Sequence, residues 1–228
     1  ESALSFVADH AVTVVCAGRT DANVHATWQV VHFDTTAQRS ARSWVLGANS
    51  RLPDDVRLLW AQEVDNSFHA RFSALSRRYR YVILNRPVAS ALQRNHVSWI
   101  YKPLDSSRMS AGGKYLLGEH DFSTFRAVAC QARNPVRTIR RLEVARDHDY
   151  VYIDVEANAF LHHMVRNIAG VLISVGSGEQ QPAWVGELLE RRDRTQGGVT
   201  APAQGLYLVG VTYPGKHLIQ SRGYLPDF

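Results

Sequence analysis

Two spacings of apolar residues recur along the chain, and they divide it into alternating runs and helical stretches. Residues 11–17 are short, β-branched and apolar, and residues 29–34 alternate polar with apolar, so both are predicted strands around a polar turn. Trp44, Val45 and Ala48 stand at helical spacing behind the capping candidates Thr36 and Ser40, which predicts a short helix over residues 40–48. Residues 56–64 resume a strand pattern. In residues 76–84, S-R-R-Y-R-Y-V-I-L, a period of two places Arg77, Tyr79 and Tyr81 on one face and Arg78, Arg80 and Val82 on the other.

Asp105 can cap a helix running to about Leu117, with Met109 and Leu116 inward and Gly112 and Gly113 weakening its middle. Residues 138–146 and 150–158 alternate on either side of Asp147, His148 and Asp149, a hairpin pattern. Residues 158–170 read as a buried helix that continues to glycine stops at Gly176 and Gly178. Met164, Ile168, Leu172 and Val175 form its apolar face, so Arg166 emerges from an apolar helix and calls for an acidic partner. Pro182 opens a last amphipathic helix through Trp184, Val185, Leu188 and Leu189, and residues 205–213 form a final strand. Strands mixed with a few helices, without a glycine-rich phosphate loop, indicate an α+β protein with a largely antiparallel sheet covered by helices.

Composition narrows the function classes. With 228 residues and 45% hydrophobic content the chain can bury a sizeable core as one large domain or two small halves. Its 26 basic against 21 acidic residues give a net charge of +5, which suits a polyanionic partner. Cys16 and Cys130 make neither a disulfide framework nor a zinc pattern, and a reducing compartment follows. His162 and His163 are adjacent rather than four residues apart on a helix, so no metal is expected. No apolar run reaches the roughly 18 residues of a membrane span and nothing at the start resembles a signal peptide, which points to the cytoplasm.

The candidate chemistry lies in G-R-T-D-A-N-V-H-A, residues 18–26, where Asp21 sits between Arg19 and His25 in the polar turn. A carboxylate can serve as nucleophile, general base or metal ligand, and a neighbouring guanidinium favours its ionised form. It can equally be a turn aspartate accepting backbone N–H groups. Arg77, Arg78 and Arg80 interleave with tyrosines, a pattern suited to holding RNA phosphates while a ring stacks on a base, although a solvated strand with core tyrosines has the same composition. Arg133, Arg137, Arg140 and Arg141 add local basic charge. The F-H-A-R-F-S run at residues 68–73 reads either as core aromatics with a solvated Arg71 or as a strand beside an RNA cleft.

The turn, followed by Q-V-V-H-F-D, closely resembles the signature of the TruA family of tRNA pseudouridine synthases, with Asn23 where that family usually has Gly. R-R-Y-R-Y, H-H-M-V-R-N and G-L-Y-L follow in the family's order. The resemblance implies a pseudouridine synthase fold of two ferredoxin-like halves with a joined, largely antiparallel sheet. Residues 1–75 would carry the catalytic loop without the first strand, and residues 76–228 would complete the RNA cleft. It further implies isomerisation of uridine to pseudouridine in the anticodon stem-loop of tRNA by a homodimer that needs no cofactor. Asp21 would be the nucleophile and Arg166 its partner; Tyr79 would pack on the uracil and Leu206 wall the pocket. Arg19 would contact RNA and fill the space left by the flipped base, with Arg77, Arg78 and Arg80 on the phosphate backbone. The rival reading is a noncatalytic protein that binds structured RNA, with an aspartate-dependent hydrolase behind it for want of a second carboxylate.

Overall fold

The computed structural model describes residues 1–219 and 225–226. Its elements begin with α1 (Ser2–Ala8), β1 (Val15–Cys16), β2 (His25–Ala26), β3 (Val31–His32), α2 (Ala41–Asn49), β4 (Ser76–Asn85) and β5 (Ser98–Ile100). They continue with α3 (Ser106–Gly113), β6 (Gly118–Asp121), β7 (Val136–Asp147), β8 (Tyr150–Ala157), α4 (Met164–Gly176), α5 (Trp184–Arg191) and β9 (Leu206–Thr212). The chain divides into two compact units, one formed by Glu1–Arg19, Val30–Ala74 and Tyr213–Ile219, the other principally by Thr20–Gln29 and Leu75–Thr212.

In the first unit, Ala3, Leu4 and Ala8 of α1 form a core with Val12 and with Trp44 and Ala48 of α2. Helix α2 starts where the Ser40 side chain accepts the Ser43 N–H, which satisfies one of the donors every helix start leaves over. The predicted strand over residues 11–17 shrinks to the two residues of β1, paired antiparallel with β3. Upstream of it, side chains take the backbone donors: Ser5 Oγ accepts from Val12 N and Glu1 Oε1 from Val14 N. Residues 56–64 join no sheet among the described residues. There the Asn49 amide bonds both backbone groups of Leu58, at 2.8 and 2.7 Å, and stands in for a neighbouring strand. Residues 68–73 form turns instead of a strand. Phe68 is buried against Tyr213 and His217, while Phe72 lies exposed, stacked on His69.

The second unit is a seven-stranded, mostly antiparallel sheet in the order β2-β9-β4-β8-β7-β6, with β5 on β4. Strand β4 is central because both its edges are used: β8 along one side, and β9 then β5 along the other. Its second half is covered on both faces, with Tyr81, Val82, Ile83 and Leu84 fully enclosed. The hairpin of β7 and β8 closes at Asp147 and Tyr150, with His148 in the left-handed region at φ 48°. Helix α3 is capped by Asp105, which accepts from Ser107 N and Arg108 N at 2.8 and 3.0 Å. Helix α4 begins at Met164, six residues later than the apolar run suggests, because His163 before it takes a left-handed conformation at φ 60°. Met164, Ile168, Leu172 and Val175, the face read from the spacing, are all buried. Each such large side chain contributes about 1.5–3 kcal/mol by leaving water, which makes α4 the anchor of this core.

Candidate active site

Asp21 lies in the loop before β2. Its carbonyl accepts from Val24 N at 3.1 Å, and the turn between them places Asn23 in the left-handed region at φ 64°. Asn is among the non-glycine residues that tolerate that region best, so the turn forms without Gly. Past the turn, β2 pairs parallel with β9, and Leu208 O accepts from both Thr27 N and Trp28 N. The loop is therefore tied to the same sheet that carries β4.

Opposite it stands the start of α4. Arg166 Nη1 donates to Asp21 Oδ2 at 3.0 Å. His163 Nε2 lies 3.1 Å from Oδ2 and His162 Nε2 lies 3.3 Å from Oδ1. The site is open: the side chains of Asp21, His162, His163 and Arg166 are 29%, 44%, 28% and 16% exposed. A carboxylate at a helix N-terminus also meets the positive end of the helix dipole. Burial lowers the pKa of His163 below its ordinary value; Asp21 opposes this, and the charges of His162, Arg166 and Arg194 add to the lowering. Both imidazoles thus face one carboxylate whose charge Arg166 offsets.

The arginine is held from behind. Its Nε donates to Ala201 O at 2.9 Å, and its backbone carbonyl accepts from Ala201 N at 3.1 Å. That loop is clamped in turn, since Arg194 bonds Gly198 O, Thr200 Oγ1 and Asn167 Oδ1, Thr200 donates to Asn167, and Asn167 donates to Phe125 O. Tyr81 OH, whose pKa burial raises, donates to Pro202 O. The approach is so close that a Cβ on Gly170 would lie 1.8 Å from Val199 O, which is why α4 carries glycine there.

The remaining site candidates fall in different places. Tyr79 is buried in β4 with Phe160 edge-on at 5.1 Å, and Leu206 is buried at the start of β9 opposite Tyr81. Arg77 is buried and donates to Asn158 O. Arg78 and Arg80, on the other face of β4, meet Asp154 at 3.6 and 2.7 Å, and Arg80 also lies over the Tyr152 ring. A phosphate approaching Arg80 would have to compete with that carboxylate. Arg19 is exposed at the end of its segment in the first unit. Arg133 and Arg140 are exposed, whereas Arg141 is paired with Glu143 and Arg137 bonds Asn134 O and Val136 O. The spacing argument set aside His162 and His163, yet the structure brings both against Asp21. The available signal was their position directly before Met164 and Arg166 at the start of an apolar helix.

The chain is similar to known proteins over most of its length. The family described as tRNA pseudouridine synthase matches residues 113–214, a span holding His162, His163, Arg166 and Leu206. A protein of Methylococcus capsulatus named tRNA pseudouridine synthase A is 61% identical over all of this chain and 88% of its own length. Proteins of the same name from Coxiella burnetii and Nitrosococcus oceani are 58% and 57% identical over 94% of this chain and 82% and 83% of theirs.

Proposed function

Since the chain belongs to the tRNA pseudouridine synthase A family, isomerases that convert uridine to pseudouridine in tRNA, we propose that Asp21 is its nucleophile and that its targets are uridines of the anticodon stem-loop. The observation that carries the reading is the partly exposed carboxylate held by Arg166 at 3.0 Å, with two imidazoles beside it. The reaction exchanges an N-glycosidic for a C-glycosidic bond within one nucleotide and moves one hydrogen from C5 to N1 of the base. Nothing enters or leaves the substrate, so a positioned carboxylate and a site for the loose base suffice.

In this reading the uridine leaves its stack to reach Asp21, as chemistry on a base in a helix requires. Arg19 fills the vacated space, Tyr79 packs on the flipped uracil and Leu206 walls the pocket. The exposed Arg133 and Arg140 and the partly exposed Arg78 supply basic surface for the backbone, Arg80 reaches a phosphate only in competition with Asp154, and Arg77 acts from within the strand through its hold on Asn158. Arg166 fixes the carboxylate through its guanidinium and is itself fixed by Ala201. Residues 1–75 carry the catalytic loop and residues 76–228 complete the cleft; the enzyme acts as a cytoplasmic homodimer, testable by sedimentation. No helix among the described residues is long and apolar enough to cross a membrane.

Asp21→Asn keeps the shape and removes the anion, so single-turnover pseudouridine formation on an unmodified anticodon stem-loop should vanish while tRNA binding persists. Arg166→Lys keeps the charge but loses the planar fork and should also lose most turnover. The double variant should be little worse than Asp21→Asn alone, because the two act as one unit. Asp21→Asn turning over near the parent rate would end the assignment, and modification confined to other arms of full-length tRNA would remove the proposed target.

A further inference from the structure

Asp21, His162 and His163 have a second property that the isomerisation does not use. One ligand atom from each, a carboxylate oxygen and two imidazole nitrogens, gives three donors within 4.8 Å of one another, and no other such group of three occurs among the described residues. We propose that these three residues form a binding site for a borderline divalent cation, Zn2+ foremost, and that its occupancy inhibits the enzyme.

The distances fit. A tetrahedral zinc ion holds nitrogen and oxygen ligands at about 2.0–2.1 Å, which separates neighbouring ligand atoms by about 3.4 Å. Here Nε2 of His162 lies 3.3 Å from Oδ1, at that edge and at the long end for a hydrogen bond, while Nε2 of His163 lies 3.1 Å from the other oxygen, Oδ2. Adjacent residues in a regular helix or strand point apart. The left-handed backbone of His163 instead brings the two rings to 4.0 Å between centroids, both facing the same carboxylate. A non-glycine residue held in that region suggests that the convergence is functional.

Arg166 does not block the site. It donates to Oδ2 and leaves Oδ1, beside His162, for the metal; His163, which faces Oδ2, reaches the ion by a small turn of its ring, since the three donor atoms lie within 4.8 Å of one another, and a ligating carboxylate commonly keeps a partner on its other oxygen. Three protein ligands with partial exposure leave a fourth position for water, the open arrangement of zinc sites that exchange ligands. Imidazole suits zinc, copper and nickel, whereas Mg2+ prefers oxygen donors and its own waters, so the site discriminates against the cation most abundant around tRNA. Inhibition rests on the catalytic reading of Asp21, since bound metal withdraws that carboxylate; binding does not.

Zn2+ titrated calorimetrically into the RNA-free enzyme should bind with a stoichiometry of one, and Co2+ in its place should show the intense visible bands of a four-coordinate ion. His162→Gln and His163→Gln should each weaken zinc binding by at least about tenfold. Zinc should abolish single-turnover activity on the anticodon stem-loop, EDTA should restore it, and equimolar Mg2+ should have no effect. Turnover retained by either histidine variant should resist zinc. Binding below one equivalent, binding indifferent to both histidine variants (an adventitious ion only), or one equivalent bound with full activity would each overturn the proposal. An inactive Asp21→Asn beside a wild type that binds no zinc would sink this inference alone and leave the catalytic reading standing.

Discussion

Gly170→Ala tests whether the wall behind the site sets its activity. The new Cβ would begin 1.8 Å from Val199 O, 3.0 Å from Val199 C and 3.4 Å from Ala201 N, all backbone atoms that cannot rotate aside. A carbon–oxygen contact settles near 3.3 Å, so the loop must retreat by about 1.5 Å. That displacement breaks the 2.9 and 3.1 Å bonds tying Arg166 to Ala201 and releases the guanidinium from its position against Asp21. Helix propensity favours Ala over Gly by about 0.8–1 kcal/mol, but overpacking costs about 1–3 kcal/mol, so the net change is destabilising. Misplacing a catalytic group by about 1 Å can lower the rate roughly 100-fold. We expect a loss of that order in single-turnover pseudouridine formation at saturating enzyme, with a modest fall in the urea midpoint. Gly176→Ala on the same helix is the control: its Cβ meets the buried Met109 side chain at 2.6 Å rather than the loop that holds Arg166, so it should cost stability while turnover holds. A Gly170→Ala enzyme within twofold of the parent rate would refute the argument that Ala201 positions Arg166.

Asp105→Ala removes the acceptor for two N–H groups at the start of α3 and should cost about 1 kcal/mol in chemical denaturation without slowing turnover; an unchanged midpoint would deny the cap its role. Tyr79→Phe should act on the stem-loop nearly as well as the parent, while Tyr79→Leu should lose affinity or turnover equivalent to about 1–3 kcal/mol of base stacking, and an unaltered Tyr79→Leu would take the ring out of the site. Burial is the leading cause that lowers the pKa values of both His32 and His163 from 6.5, so the folded chain takes up protons less readily than the unfolded one. The stability they contribute is complete above pH 6.5 and is lost as pH falls through that value toward their folded pKa values. The urea midpoint should therefore drop on acidification and the His32→Gln/His163→Gln double variant should flatten the drop, whereas equal slopes would refute it.

Much of the sheet was legible because its strands alternate in the open. The runs at residues 76–84, 138–146, 150–158 and 205–213 became β4, β7, β8 and β9 to within a few residues, and the apolar faces of α4 and α5 followed from spacing. Residues 56–64 show the limit of the method. The pattern is there, but backbone groups can be satisfied by one side chain as well as by a strand, and Asn49 does this at Leu58. The helix expected to reach Leu117 ends its α-helical part at Gly113 and tightens over residues 114–116, and the glycines also permit contact, since a Cβ on Gly113 would lie 2.4 Å from Leu142. Asp21 and Arg166 stand 145 residues apart, beyond any local pattern; only a need for an acidic partner was readable from the helix itself, and family resemblance supplied which acid. The histidines were passed over because spacing rules assume regular backbone, and one left-handed residue makes neighbours converge.

The pairing of β2 with β9 sets an order in time. A ribosome releases the segment holding Asp21 early, yet the strand that ties it to the sheet lies roughly 180 residues downstream, about 10–40 s later at ordinary elongation rates. Through that interval the segment has no ladder partner, and Trp28, buried in the finished fold, has yet to be covered. Chains abandoned before β9 emerges carry the carboxylate without the strand that anchors its loop. The loop that carries Asp21 is therefore anchored only by a strand made about 180 residues after it.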